Sequence, residues 1–284
     1  MNQSKIAVVV DSTAQIPKPL VQQYNIHVIP QTLIWGQETF LDDVDITPTE
    51  FYSRLRTDPE FPTTSQATVD EFRQLFENIG QEADGILAIL VSSEVSGTLN
   101  SAQQAKALLP NLDIELVDSR TISMALGFIA LAAIRGIEQG KSLVEATKLA
   151  RESLDNVGVY ITVETLDYLH RGGRIGGARK LLGTALNIKP ILTVREGIVA
   201  EGGKARTRKK ALRQVVDNVA SDVEGRSNLQ ISALHAAAPG DAAYLLDMAS
   251  ERLQPAQTHI SEISPVVGTH CGPGTLGLAW YADA

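Results

Sequence analysis

The chain has 284 residues, 44% hydrophobic and 20% charged, with a net charge of −8. That composition is ordinary for a soluble globular protein and long enough for two cores, while the acidic balance argues against a general nucleic-acid binder. A single cysteine, Cys271, excludes an intrachain disulfide and fits a reducing compartment.

Ile6-Ala-Val-Val-Val10 reads as a short buried strand that runs into Asp11, Ser12 and Thr13. No signal-peptide pattern precedes it, and the longest apolar run, residues 122–134, spans 13 residues, short of the ~20 needed to cross a bilayer. A cytoplasmic protein is expected. A helix over 17–24 and a strand over 26–29 suggest β-α-β and a parallel sheet. Asp11 suits an Asx-type bond holding the turn better than a metal, because no second acidic residue stands at ligand spacing. The acidic stretch Glu38-Thr-Phe-Leu-Asp-Asp-Val-Asp45 lacks the spacing and glycine of an EF-hand and reads as a solvated loop.

Thr47-Pro-Thr-Glu50, Thr68-x-x-Glu71 and Ser142-x-x-Glu145 are capping boxes, each predicting a helix start. Thr63, Thr64 and Ser65 are placed in a loop before the second of these. Residues 86–91 are six apolar residues in a row, a strand buried on both faces. It stops in Ser92, Ser93, Ser96, Gly97 and Thr98, and an amphipathic helix follows over 99–109. Strand, hydroxyl loop and helix N-terminus together suit an anion, although for a lone serine in such a place a plain helix cap at Ser96 is the better reading. Residues 114–117 form another strand, ending in Asp118 and Ser119. Three strand ends bearing hydroxyls along one edge of a parallel sheet are the first sign of a site.

Helices over 121–139 and 143–155 and a strand over 157–163 lead to a domain boundary near residue 160. This predicts a parallel-sheet α/β domain over 1–160 and an α+β domain over 161–284. In the second, Leu169-His-Arg-Gly-Gly-Arg-Ile-Gly-Gly-Ala178 matches neither a Walker loop nor a dinucleotide fingerprint; a close backbone crossing and a ligand-lining role both remain open. Residues 189–200 read as a β-hairpin turning at Arg195-Glu-Gly197. Arg171, Arg174, Arg179 and Lys180, with Lys204, Arg206, Arg208, Lys209 and Lys210, gather nine of 25 basic residues. They suit an anionic ligand or an acidic partner, or form a solvated helix face. Strands over 229–235 and 259–263 flank a helix over 241–253. His270 follows in what reads as a glycine-rich loop.

Val9-Val-Asp-Ser-Thr13, Pro62-Thr-Thr-Ser-Gln66, Ser93-Glu-Val-Ser-Gly-Thr98, Asp118-Ser119, Gly172-Gly-Arg174, Lys189-Pro190, Lys204-Ala-Arg-Thr207 and Gly268-Thr-His-Cys-Gly-Pro-Gly274 stand in the order and spacing of the DegV family, which the chain resembles over its full length. The family includes the fatty-acid-binding subunits of bacterial fatty acid kinases. The resemblance implies a bacterial protein with a DegV-like two-domain fold and one buried long-chain, palmitate-like fatty acid. Carried over, Thr64 and Ser96 hold the carboxylate near His270. The loop residues Thr63, Ser65, Gly97, Thr98, Asp11, Ser12, Asp118 and Ser119 support them.

No catalytic residue, metal or cofactor is implied in this chain. A separate kinase subunit is, with Arg171, Arg174, Lys204, Arg206 and Arg208 as the expected docking surface; peripheral contact with a membrane is compatible with this reading. Ala67 and Glu94 depart from the family's usual proline and glycine, and Glu94 weakens carboxylate binding unless it points outward. Tunnel walls are expected among residues 122–134, Ile161, Val163, Leu166, residues 181–188 and residues 276–280. The rival reading is a serine hydrolase or acyltransferase using Ser96 and His270; it lacks a Gly-x-Ser-x-Gly elbow and a recognisable third member.

Overall fold

The computed structural model describes residues 5–184 and 188–284. In chain order it begins with β1 (Ile6–Asp11), α1 (Lys18–Gln23), β2 (His27–Ile29), β3 (Thr32–Trp35), β4 (Glu38–Leu41), α2 (Pro48–Leu55) and β5 (Thr63–Ser65). Then come α3 (Val69–Ile79), β6 (Gly85–Leu90), α4 (Thr98–Ala107), β7 (Ile114–Asp118), α5 (Ser123–Glu138) and α6 (Leu143–Glu152). The remainder is β8 (Val157–Thr162), α7 (Asp167–Arg171), β9 (Lys189–Arg195), β10 (Ile198–Ala205), α8 (Arg208–Asp222), β11 (Ser227–His235), α9 (Pro239–Leu253), β12 (Gln257–Glu262), α10 (Pro265–Cys271) and β13 (Leu276–Asp283).

The first sheet is parallel, in the order β2-β1-β6-β7. All six residues of β6 are buried, as its unbroken apolar run requires. Leu87 and Ile89 join the core built on α5, whereas Ile86, Ala88 and Leu90 join Phe72 and Phe76 of α3 and Ala102 of α4. The second sheet, β10-β9-β8-β13-β11-β12, is antiparallel except for the β11–β12 pair. One of its faces joins the α5 core through Val159, Leu192 and Leu234, and the other packs Ile231 and Leu278 on α8 and α9.

Helix α5 is therefore the layer common to both sheets, touching β1 and β6 on one side and β8 and β13 on the other. Thirteen of its residues are buried, which explains an apolar run with no polar face. Residue 160 lies within β8, so the change of sheet falls between α6 and β8.

Three local expectations are corrected. Thr63, Thr64 and Ser65 are not loop but a strand, β5, in a third sheet ordered β4-β3-β5. The acidic stretch is not simply a solvated loop: Glu38–Leu41 is β4, and Asp42 is 1% exposed. Strands of three or four residues with half-exposed faces carry too little periodicity to be seen in sequence. His270 stands not in a loop but in the last turn of α10, whose seven residues are followed by the cap Gly272 with φ 78°.

Candidate ligand-binding site

Because the first sheet is parallel, β1, β6 and β7 all end at one edge. Asp11 splices two of these ends: its buried carboxylate accepts from Thr13 N–H at 3.0 Å, the expected Asx-type bond, and from Val91 N–H at 2.7 Å. Burial pushes the Asp11 carboxyl up, against the pull of these hydrogen bonds. Ser12 Oγ donates to Asp42 at 2.6 Å, and Asp42 in turn accepts from Val266 N–H of α10 at 3.0 Å. Asp118 holds the hydroxyl loop from behind, accepting from Ser93 Oγ at 2.5 Å and from Arg120 N–H at 2.9 Å. Ser119 bonds the Thr121 backbone.

Between this edge and the second sheet lies a cavity with about 1030 Å³ of empty space, the open solvent at its mouth included. Its polar end carries Thr64, Ser96, Arg174 and His270, together with Gln31 and Gln66; aliphatic side chains from β8, β9 and α10 line most of the rest. Thr64 Oγ1 and His270 Nε2 are 2.8 Å apart. Ser96 is not the cap of α4: the N-cap is Gly97, and Ser96 Oγ stands 2.8 Å from Thr98 Oγ1. Burial, and then the charge of Arg174, lowers His270 to about 4, so the imidazole is neutral near pH 7. Burial pushes the Cys271 thiol beside it up to about 12, far from a thiolate.

Gly172 permits this arrangement. A Cβ there would lie 2.2 Å from His270 Nδ1. The glycine-rich segment is thus a close backbone crossing that also delivers Arg174, which donates to Val95 O at 3.2 Å and Gly172 O at 2.8 Å. Glu94 is exposed and stands outside the cavity lining.

The expected residues are distributed unevenly. Thr64, Ser65, Ser96 and His270 line the cavity, while Thr63, Gly97, Thr98, Asp11, Ser12, Asp118 and Ser119 stand outside its lining. Arg174 belongs to the cavity rather than to an outer surface. Arg208 is occupied, paired with Glu164 and Asp241 and donating to Gly274 O at 2.9 Å. Arg171 stacks over Phe61 at 5.3 Å. Lys204 and Arg206 are exposed.

The tunnel walls are corrected more strongly. Among the described residues of the expected set only Ile122, Ser123 and Ile161 line the cavity; Val163, Leu166, Leu181 and the 124–134 and 276–280 segments are core or sheet elsewhere, and residues 185–187 lie outside the described residues. The walls instead include Val159 beside Ile161, Leu192 beside Val194, and Ile263, Val266 and Val267. The two-residue spacing of the first two pairs is the signal that marks one strand face. Gln31 and Gln66 were also missed as lining residues, since a lone glutamine carries no pattern.

A family model described as "Uncharacterised protein, DegV family" matches residues 5–283. Protein DegV of Bacillus subtilis is 34% identical over 276 residues, covering 97% of this chain and 98% of that protein. Among solved structures, a Thermus thermophilus DegV family protein described for its fatty acid binding superposes with TM-score 0.92 at 33% identity, covering 98% and 99% of the two chains. DegV from Bacillus subtilis, described as a fatty acid binding protein, gives TM-score 0.91 at 33% identity over 99% and 100%. The mixed α/β architecture, the match over nearly the whole chain and the shared identity agree: this chain belongs to the DegV family.

Proposed function

We propose that this chain binds one long-chain fatty acid without transforming it, holding the carboxylate at Thr64, Ser96 and His270 and the acyl chain along the apolar walls. The observation that carries this reading is the polarity of one cavity, with two hydroxyls, a neutral imidazole and Arg174 at one end and aliphatic side chains over most of the remainder. The relatives described as fatty acid binding proteins support it. In this reading the chain up to α6 and the chain from β8 onward act as two domains that enclose the ligand between them, the break falling just before β8 rather than at residue 160.

Magnitudes assign the roles. Burying fourteen methylenes contributes on the order of 11 kcal/mol before ordering costs. Each hydrogen bond to a charged carboxylate adds roughly 1.5–3 kcal/mol. The chain therefore supplies most of the affinity and the polar end fixes the head group. Arg174 is the cation that complements it, and exposed Glu94 stands outside the lining.

The hydrolase reading fares worse. Ser96 is bonded to Thr98 and His270 to Thr64, so the proton path from serine to imidazole that such chemistry needs is not built. An imidazole that titrates at about 4 is also a weak general base near pH 7.

Presentation to a separate kinase, with Arg171, Lys204 and Arg206 as the docking surface, is the further part of the proposal. Delipidated protein is expected to take up one equivalent of hexadecanoate by calorimetry, and mass spectrometry of freshly purified protein to detect a fatty acid. Failure of the delipidated protein to bind any fatty acid from twelve to eighteen carbons would overturn the reading.

A further inference from the structure

Gln31, between β2 and β3, is 2% exposed, and each of its polar groups has a partner. Its backbone N–H donates to Ser12 Oγ at 3.1 Å, and its carbonyl accepts from Asp42 N–H at 2.9 Å. Its side-chain Oε1 accepts from Ala67 N–H at 3.0 Å, and its Nε2 donates to Thr98 Oγ1 at 3.1 Å. A backbone N–H can only donate, so Ala67 dictates which end of the amide is oxygen and turns Nε2 toward Thr98.

That orientation propagates. Thr98 Oγ1 has one proton, and with Gln31 Nε2 donating into it the proton runs to Ser96 Oγ at 2.8 Å, nearer than Gln31 Oε1 at 3.3 Å. Ser96 Oγ also accepts from Thr98 N–H at 3.3 Å. Both acceptor sites of Ser96 are then filled, and its own proton is left for the cavity. The same amide ties the Ala67 end of the β5 segment that carries Thr64 to the start of α4 that follows Ser96. One buried side chain thus sets both the spacing of the two hydroxyls and the direction of hydrogen bonding at one of them.

We propose that Gln31 is the positioning residue that makes Ser96 a hydrogen-bond donor toward the cavity, and thereby makes the site prefer an acyl carboxylate over the neutral alcohol of the same chain length. This rests on the fatty-acid reading of the site. A carboxylate only accepts, so it needs a donor at Ser96; an alcohol can donate or accept and tolerates either direction.

The test is the affinity ratio of hexadecanoate to hexadecanol, read by displacement of a fluorescent fatty acid from the full chain. Gln31→Met removes the donor without adding charge, frees Thr98 Oγ1 to accept from Ser96, and is expected to lower the ratio by about tenfold while the alcohol affinity stays within about threefold of wild type. Thr98→Val removes the relay itself and is expected to lower the ratio, whereas Thr98→Ser keeps the relay and the ratio. This second pair decides the matter should Gln31→Met fail to fold. Equal weakening of acid and alcohol in Gln31→Met and Thr98→Val, or an unchanged ratio in both, would overturn the proposal with the fatty-acid reading intact. Wild type that takes up neither ligand would overturn both.

Discussion

His270 and Asp42 titrate in opposite senses, and their signs can be checked separately. His270 titrates at about 4 in the fold against 6.5 in the unfolded chain. The unfolded state therefore binds more protons between those values, so the contribution of His270 to stability is complete above pH 6.5 and lost as the pH falls toward 4. Asp42 is pushed up by burial to about 6 from 3.8, so the cost of burying its charge is present above pH 6 and fades as the pH falls toward 3.8. Between pH 7 and 4.5 the wild type should lose about 2 to 3 kcal/mol relative to His270→Gln and gain relative to Asp42→Asn. Thermal unfolding of the three proteins at both pH values measures this; parallel pH profiles for wild type and His270→Gln would contradict it. Neither shift was legible in the sequence. His270 was recognised by its motif, but its depressed pKa comes first from burial, with Gly172 packed against its ring, and then from Arg174, contacts made 98 and 96 residues away.

At the scale of elements, the hairpin β9–β10 controls the loop that carries Ser96. Glu196 and Gly197 form its two-residue turn, with φ 52° and 85°. Ser92 Oγ donates to Gly197 O at 2.8 Å, and Arg120 donates to Glu196 O at 2.7 Å, so this turn clasps the start of the hydroxyl loop and the neighbouring loop after β7. A Cβ on Gly197 would lie 2.5 Å from Ser92 Oγ. Gly197→Ala should cost about 1–3 kcal/mol in denaturant unfolding, and should also weaken fatty-acid binding, because Ser92 must move. Unchanged binding would show that the clasp does not act on Ser96. In the shared layer, Phe128 of α5 is 1% exposed, and Phe128→Ala should cost about 3–5 kcal/mol in denaturant unfolding. Elements with strong local signals were readable in advance: Thr47, Thr68 and Ser142 cap α2, α3 and α6 with both bonds of the capping box. The third sheet was not, because β5 pairs with β3 across 31 residues of chain (Thr64 with Leu33) and its residues face both ways.

For the molecule as a whole, the cavity lies between the second sheet and the loops at the edge of the first, so ligand and fold should be coupled. Hexadecanoate at one hundred times its Kd is expected to stabilise the delipidated protein by about 2.7 kcal/mol, raising the midpoint of thermal unfolding. The outer surface is a separate question. With Arg174 in the cavity and Arg208 paired to Glu164 and Asp241, the members of the expected docking surface left for an acidic partner are Arg171, Lys204 and Arg206. The double reversal Arg171→Glu and Arg206→Glu should leave hexadecanoate affinity within about twofold and weaken coupling to a kinase, more so at low salt. Kinase turnover unchanged by the reversal would remove this face from the proposal.

The amino-acid sequence by itself determined the elements whose signals are local. These are the doubly buried strand β6, the capped helices, the turn at Gly197 and the hydroxyls that end three parallel strands. It also determined the family, through motifs spread along nearly the whole chain. What only the tertiary structure decided is which of those motifs meet. Thr64 and His270 are 206 residues apart in the chain and share a hydrogen bond. Gln31 and Thr98, 67 apart, set the direction of the bond at Ser96. Periodicity shows which face of an element is buried but not whether that face meets another element or an empty space, and the walls of the cavity are apolar in either case.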